Sequence, residues 1–282
     1  MQAQTGLSVV VPTRDRPEHL ARCLAALRVA LRPEDELVVV DSASSVPVPA
    51  ALRCPAPGAS RARNAGWRAA RHDLVAFVDD DVEVAPGWAE AMCAALGRHD
   101  WVAGAVGVPA GQEDRERPVA VTYLSLPTAL TPDSRGTLGA SANLGVRRSV
   151  LAEVGGFDER LGPGTWTRAA EDLDLLDRLL AAGHDGWFCP QAAATHDQWR
   201  DRRALLRLDH GYGIGLGARV VLLLRRGQRQ RARTVVRDAV WSATVVTGAR
   251  DLAHRYEFGA LLCAVRLLGF LRGVVRGGAV LR

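Results

Sequence analysis

Four short apolar runs recur through the first hundred residues: LSVVVP at 7–12, ELVVVD at 36–41, DLVAFVDDD at 73–81 and WVAGAVGVP at 101–109. Apolar runs this continuous suit strands buried on both faces, and the stretches between them repeat at helical spacing. Strands that alternate with helices build a parallel sheet covered by helices, so the pattern predicts an α/β fold. Pro17 suits the first turn of a helix whose buried face is Leu20, Cys23, Leu24, Leu27 and Leu31. Ser60 is placed to cap a helix through RARNAGWRAAR, and Pro86 to open one that runs to about Leu96. The pattern weakens into a polar segment from Gly111 to Arg135. Beyond it come a short strand, a helix near 149–154, a Gly-rich loop, an amphipathic helix from about Ala170 to Ala182, and a strand from DGWFCP that ends near His196.

A chain of 282 residues, 48% hydrophobic and 24% charged, is long enough for one large or two small domains. All 36 basic residues are arginine, which excludes mechanisms that need a lysine Schiff base or a phosphate-loop lysine. Past residue 218 there are 13 arginines against 3 carboxylates, whereas the preceding residues carry 23 against 28. The basic excess therefore belongs to an Arg-rich, helical extension at 219–282, separate from a body at 1–218. Five cysteines, odd in number and without a CxxC pair, read as reduced thiols of a cytoplasmic protein. The start, MQAQTGLSVVVPT, lacks the pattern of a signal peptide. The longest apolar stretch, FGALLCAVRLLGFL at 258–271, contains Arg266 and falls short of the roughly 20 residues a membrane span needs, so no crossing is expected.

Ligands on open parallel sheets bind where the strands end at their carboxyl side. Thr13 to Arg16 follow the first strand, Asp41 ends the second, and Asp79 to Asp81 end the third, so three polar clusters meet at one rim. Each alone reads as a turn or cap. Adjacent carboxylates repel unless a cation is present, and two separated by one residue suit a hard divalent ion whose shell is completed by phosphate oxygens and water. A calcium loop is a poor alternative, since the position that needs Gly holds Val84 and the acids follow a buried strand.

The segments VVVPTRDRPEHLARCLAAL, VVVDSAS, GASRARNAGWRAARHDLVAFVDDDV, RRSVLAEVGGFDERL and AEDLDLLDRLLAAGH, in this order and spacing over about residues 5 to 200, resemble the inverting glycosyltransferases of family 2. That resemblance implies the GT-A fold of nucleotide-diphospho-sugar transferases, a mixed, mainly parallel sheet flanked by helices. It implies that Pro12, Thr13 and Arg16 line a nucleotide pocket, that Asp41 accepts a hydrogen bond from the base, and that Arg63 or Asn64 lies near the nucleotide. Asp79 and Asp81 match the metal-binding DxD motif for Mg2+ or Mn2+, with Asp79 nearer the ribose and Asp80 its variable, most replaceable middle residue. Asp172 matches the catalytic base, with Glu171 beside it near the acceptor. His196 matches a histidine that completes the metal site in many members, although a satisfied structural histidine reads equally well. Trp166, in the loop GPGTWTRAA, offers a flat face to a sugar or aglycone or is simply a packed surface residue.

The implied donor is a nucleoside-diphosphate sugar and the acceptor carries a hydroxyl, on a small molecule, glycan or lipid. Arg14 and Asp15 stand where the family often has an aromatic residue and Asn, so the base contacts differ. DQWRDRR departs from the order seen in processive synthases, which favours transfer of a single sugar. A haloacid-dehalogenase-like phosphatase is disfavoured by the absence of lysine, and a binding protein without turnover would be expected to lose Asp172 or a DxD carboxylate. The arginines at 225, 226, 229, 231, 233 and 237, followed by apolar helices with Arg266, Arg272 and Arg276, either lie peripherally on an anionic membrane surface or pack on the catalytic domain or a second subunit as a homo-oligomer. No nucleic-acid partner is expected, because these arginines alternate with Leu, Val and Ala outside any binding module.

Overall fold

The computed structural model describes residues 6–110, 124–131, 134, 139–197, 199–241 and 259–281, so most of the polar segment expected at Gly111–Arg135 lies outside the described residues. In chain order the elements are β1 (Leu7–Thr13), α1 (Pro17–Ala30), β2 (Glu36–Asp41), β3 (Leu52–Arg53), α2 (Ala59–Ala69), β4 (Leu74–Val78), β5 (Val82–Val84), α3 (Trp88–Leu96), β6 (Trp101–Gly107), β7 (Thr128–Leu130), β8 (Asn143–Arg147), α4 (Arg148–Val154), α5 (Glu171–Ala181), β9 (Gly186–His196), α6 (Arg202–Arg225), α7 (Arg229–Trp241) and α8 (Gly259–Val280). The described strands form one nine-stranded mixed sheet in the order β3-β2-β1-β4-β8-β6-β9-β5, with β7 also paired to β9. The β1, β2, β3 and β4 pairings are parallel, whereas β8 runs antiparallel between β4 and β6.

The apolar runs become strands because both faces are covered. Leu7, Val9 and Val11 of β1 join Leu20, Cys23 and Leu27 of α1 and Met92 and Leu96 of α3 in one core. Val10, one residue out of phase, joins Ala62 and Trp67 of α2, Leu151 of α4 and Leu175, Leu176 and Leu179 of α5 in a second core on the other face. This is the period-2 alternation of a strand, with every β1 position buried.

Two expected helix starts move. Helix α2 begins at Ala59 with Gly58 as its cap, so Ser60 lies inside the first turn and makes no cap. The start is instead tied down by Ser42, whose Oγ accepts the Gly58 N–H at 2.9 Å. Helix α3 begins at Trp88, because Gly87 before it takes a left-handed conformation (φ 79°) and turns the chain past Pro86.

The chain divides into two compact units, Met1–Asp158 with Leu175–Gln198, and Glu159–Asp174 with Trp199–Arg282. The division expected after residue 218 falls within α6. In the second unit α6 and α8 run side by side in close contact. A Cβ added at Gly213 would lie 2.0 Å from the Arg266 carbonyl oxygen, and one at Gly273 would lie 2.2 Å from that of Ile214. Only glycine permits backbones this near one another. Leu161, Ala218, Leu222 and Leu281 form a small core here with Trp166 packed against it. No described helix is long and apolar enough to cross a membrane.

Candidate functional site

Strand β4 ends at Val78, and the chain turns through Asp79, Asp80 and Asp81 before entering the three-residue strand β5. The Val82 N–H donates to the Asp79 carbonyl at 3.1 Å and closes the turn. β5 then pairs antiparallel with the end of β9, in a register that sets Val82 opposite His196. A histidine 115 residues away is thereby brought against the acidic turn, with His196 Nε2 3.1 Å from Asp81 Oδ1.

The three carboxylates have different surroundings. Asp79 pairs with Arg63 of α2 at 2.6 Å, and that guanidinium also lies over the Phe157 ring. Asp81 accepts from Arg16 Nη1 at 2.9 Å. Asp80 is fully buried, accepts from the Thr13 hydroxyl at 2.7 Å and pairs with Arg16 Nη2 at 2.7 Å. The residue expected to be the most replaceable is therefore the one most enclosed, because its side chain turns inward and joins the β1 loop to the β4 turn. Burial pushes the Asp80 carboxyl up to about 6, with Asp81 and Asp79 adding to the shift and Arg16 and Thr13 opposing it. Burial alone would weaken the Arg16 charge, but Asp80, Asp81 and Asp79 outweigh it and hold that guanidinium above its ordinary value.

Around this turn the rim is built from the loops after β1 and β2. Pro12 lies in β1 opposite Val40, and Thr13 opposite Asp41. Asp41 is buried and its carboxylate serves its own loop. Oδ1 accepts the Ser44 N–H at 2.8 Å, and Oδ2 accepts the Val48 N–H at 3.2 Å and a bond from Arg53. Burial would raise its carboxyl, but these donors and Arg53 hold it below the usual value. Asp15, left-handed at φ 53°, accepts both the N–H and the hydroxyl of Ser45 at 2.7 Å, so the two loops are stitched together. Asn64 bridges to the main chain of Phe157 in both directions, at 2.8 and 2.9 Å, and accepts from the Trp67 indole at 3.0 Å. Its amide thus anchors the turn after α4. Sequence reasoning placed Asp15 at the base contacts but missed its tie to Ser45, and it missed Ser44 and Arg53 altogether. Asp15 carried a signal, since Asp tolerates left-handed backbone, whereas a lone arginine in a two-residue strand carried none.

The candidate base lies in the second unit. Glu171 and Asp172 open α5, where the helix dipole favours a carboxylate. Glu171 is buried, and a Cβ at Gly162 (φ 93°) would lie 2.8 Å from its carboxyl carbon. Asp172 Oδ1 accepts the Leu173 N–H at 2.7 Å. Arg168 and Ala170 both hold left-handed backbone, φ 62° and 75°, immediately before this turn. Such residues store about 1–3 kcal/mol each and persist where packing dictates them. Here α6 supplies that packing, with Gly215 against Ala169 and Gly211 against Arg168. Trp166 has the Arg276 guanidinium over its ring at 5.1 Å, so one of its faces is covered from α8.

A cavity of about 430 Å³ lined by Trp67, Arg68, Asp73, Arg148, Ser149 and Ala152 lies at the opening end of β4, opposite the acidic turn. The chemistry-bearing residues are not there.

A mixed, helix-covered sheet with an acidic turn after β4 places the fold among the GT-A glycosyltransferases. The mannosyltransferase PcManGT from Pyrobaculum calidifontis, solved with GDP-Man and Mn2+, superposes with a TM-score of 0.65 at 15% identity over 97% of this chain and 88% of that one. TarS 1–349 from S. aureus gives 0.61 at 18% identity over 98% and 83%. At these identities the likeness is one of fold alone. The chain belongs to glycosyl transferase family 2, whose family model matches residues 8–155. It is also similar to the pre-mycofactocin glycosyltransferase of Mycobacterium tuberculosis, at 32% identity over an alignment of 230 residues that covers 73% of this chain and 46% of the relative. The chain thus spans less than half the length of the curated relatives it matches.

Proposed function

We propose that this chain transfers a single sugar from a nucleoside-diphosphate sugar to an acceptor hydroxyl, with inversion, in one displacement. The observation that carries the reading is the pairing of Asp81 with His196 on a rim that also presents Thr13, Arg16 and Arg63. The neighbours solved with GDP-Man and Mn2+, or with UDP-GlcNAc, support a nucleotide-sugar donor.

Asp81 and His196 supply a carboxylate and an imidazole, a donor pair that suits Mn2+ or Mg2+. Among the described residues no group of three or more such side chains is arranged to hold an ion, so two protein donors would leave the remaining positions to diphosphate oxygens and water. A bound divalent ion stabilises the charge of the departing diphosphate. Arg16 and Arg63 keep three adjacent carboxylates tolerable before any ligand arrives, and Asp79 takes the ribose side. Asp172 is assigned the acceptor hydroxyl's proton, with Glu171 setting the acceptor's approach. Asp41, with its loop closed by Arg53, is assigned to the base. Pro12 and Asn64 act as walls and anchors of that pocket, and Trp166 is assigned to the acceptor side. The buried thiols Cys23, Cys54 and Cys189 support a reducing, cytoplasmic setting.

Donor hydrolysis tests the assignment. Slow, Mn2+-dependent release of nucleoside diphosphate is expected from the parent, with release abolished by Asp81→Ala and reduced about 100-fold or more by Asp172→Asn. Parent-like rates in both variants would overturn the site. Mn2+-dependent thermal stabilisation by nucleotide without any release would instead identify a binding protein.

A further inference from the structure

The strongest feature left unused by this reading is the outward face of α8. Its inner face is fixed, because Gly269 and Gly273 lie so close to α6 that a Cβ at either would come within 2.2 Å of a carbonyl oxygen, of His210 and Ile214 respectively. The orientation of α8 about its own axis is therefore set by backbone contact. Leu268, Leu271 and Val275 then point to solvent at spacings of three and four residues, 63%, 55% and 77% exposed, with Leu267 beside them at 43%. An apolar helical stripe this exposed is not surface scatter, since large side chains at one spacing on one face make a contiguous patch.

The charge around the stripe selects its partner. Helix α8 has no acidic residue and presents Arg272 exposed, whereas Arg266 is paired with Asp209 of α6 and Arg276 lies over Trp166. In the same unit Arg229, Arg233 and Arg237 are exposed at four-residue spacing along α7. A second copy of the chain would bring like charge against this face. A nucleic acid would meet leucine and valine there, with no aromatic ring to stack on a base. We propose that the unit containing α6, α7 and α8 docks on an anionic lipid surface, with the Leu268–Leu271–Val275 stripe entering the headgroup boundary and the exposed Arg272, Arg229, Arg233 and Arg237 holding lipid phosphates. Apolar area and cationic charge together are what a helix lying in the interface requires. The proposal does not depend on the transfer chemistry, because its face lies on the far side of α8 from the glycine seam.

Flotation of the full-length protein tests it, with vesicles of phosphatidylcholine alone and with about one third phosphatidylglycerol added. The parent is expected to float with the anionic vesicles only, and to be released by salt of about 0.5 M, where charges are screened within a few ångströms. Leu268→Glu combined with Leu271→Glu should lower the bound fraction at least about tenfold with an unchanged melting temperature. Val275→Glu alone, at the most exposed position, serves as the second variant should the pair impair folding. The triple change of Arg229, Arg233 and Arg237 to Gln should weaken binding to the anionic vesicles specifically. Equal flotation with neutral vesicles, no flotation at all, or parent-like flotation of the Glu variants would overturn the proposal. So would a parent dimer in sedimentation that Leu268→Glu dissociates, because the stripe would then belong to a second copy.

Discussion

Asp80 joins two loops through one buried carboxylate, with Thr13 on one oxygen and Arg16 on the other. A hydrogen bond to a charged group is worth about 1.5–3 kcal/mol, and Thr13 makes one here while Arg16 contributes an ion pair, so Asp80→Ala is expected to lower stability by about 2 kcal/mol, read as a shifted urea midpoint at unchanged slope. The folded carboxyl titrates near 6, above the 3.8 of an unperturbed one. Between those values the folded chain holds a proton that the unfolded chain has lost, and stability falls as pH rises through the window. Asp80→Asn, measured in chelator from about pH 4 to about pH 7, should flatten that fall. A curve as steep as the parent's would place the titrating group elsewhere. At this scale the sequence showed which acids matter as a cluster but not which way each side chain turns. The inward turn of Asp80 is set by Thr13 and Arg16, and no local pattern encodes it. Asp41 likewise reads as a strand-end acid, and only the fold shows Ser44, Val48 and Arg53 already gathered on it.

Among elements, β1, β2, β4, α1 and α5 were legible because they are continuously apolar or strongly periodic. The central position of β8 was not, since its five residues, NLGVR, hold no information about which strands flank them. β5 was hidden for a different reason. Three residues directly after an acidic turn carry too little pattern, and their strand conformation comes from pairing with β9. The α6–α8 seam is a case where propensity misleads. Replacing a mid-helix glycine by alanine favours the helix by about 1 kcal/mol, but at Gly273 the new methyl would lie 2.2 Å from the Ile214 carbonyl oxygen. A backbone neighbour cannot swing away as a flexible side chain can, and overpacking costs about 1–3 kcal/mol or more. Gly273→Ala is therefore expected to destabilise by about 2 kcal/mol, whereas the same change at Gly278, with nothing near its Cβ position, should be neutral or stabilising. Calorimetric melting of the two variants separates the effects.

For the whole molecule, the split of the chain changes what the C-terminal residues mean. An extension at 219–282 read from charge alone is detachable. In the structure its helices share a compact unit with the Glu159–Asp174 segment, where Leu222 and Leu281 pack with Leu161, and Arg226 pairs with Asp174 at 2.6 Å. Cutting after residue 218 removes those partners from the turn that carries Glu171 and Asp172. The truncated chain is expected to keep Mn2+-dependent thermal stabilisation by nucleoside diphosphate, since the β1, β2 and β4 loops belong to the first unit, and to lose sugar transfer by about 100-fold or more. Full transfer by the truncated chain would show that the turn holds its conformation unaided.

The pairing of β5 with β9 also bears on the order of events during synthesis. Asp81 and His196 are 115 residues apart and meet only through three rungs of antiparallel ladder. A chain synthesised only as far as β8 contains the acidic turn and both Arg16 and Arg63 but lacks His196. Contacts of such long sequence separation close late, after local structure has formed. Arg16 and Arg63 both precede the turn in the chain, so its carboxylates have cationic partners available before the strand that carries His196 is made.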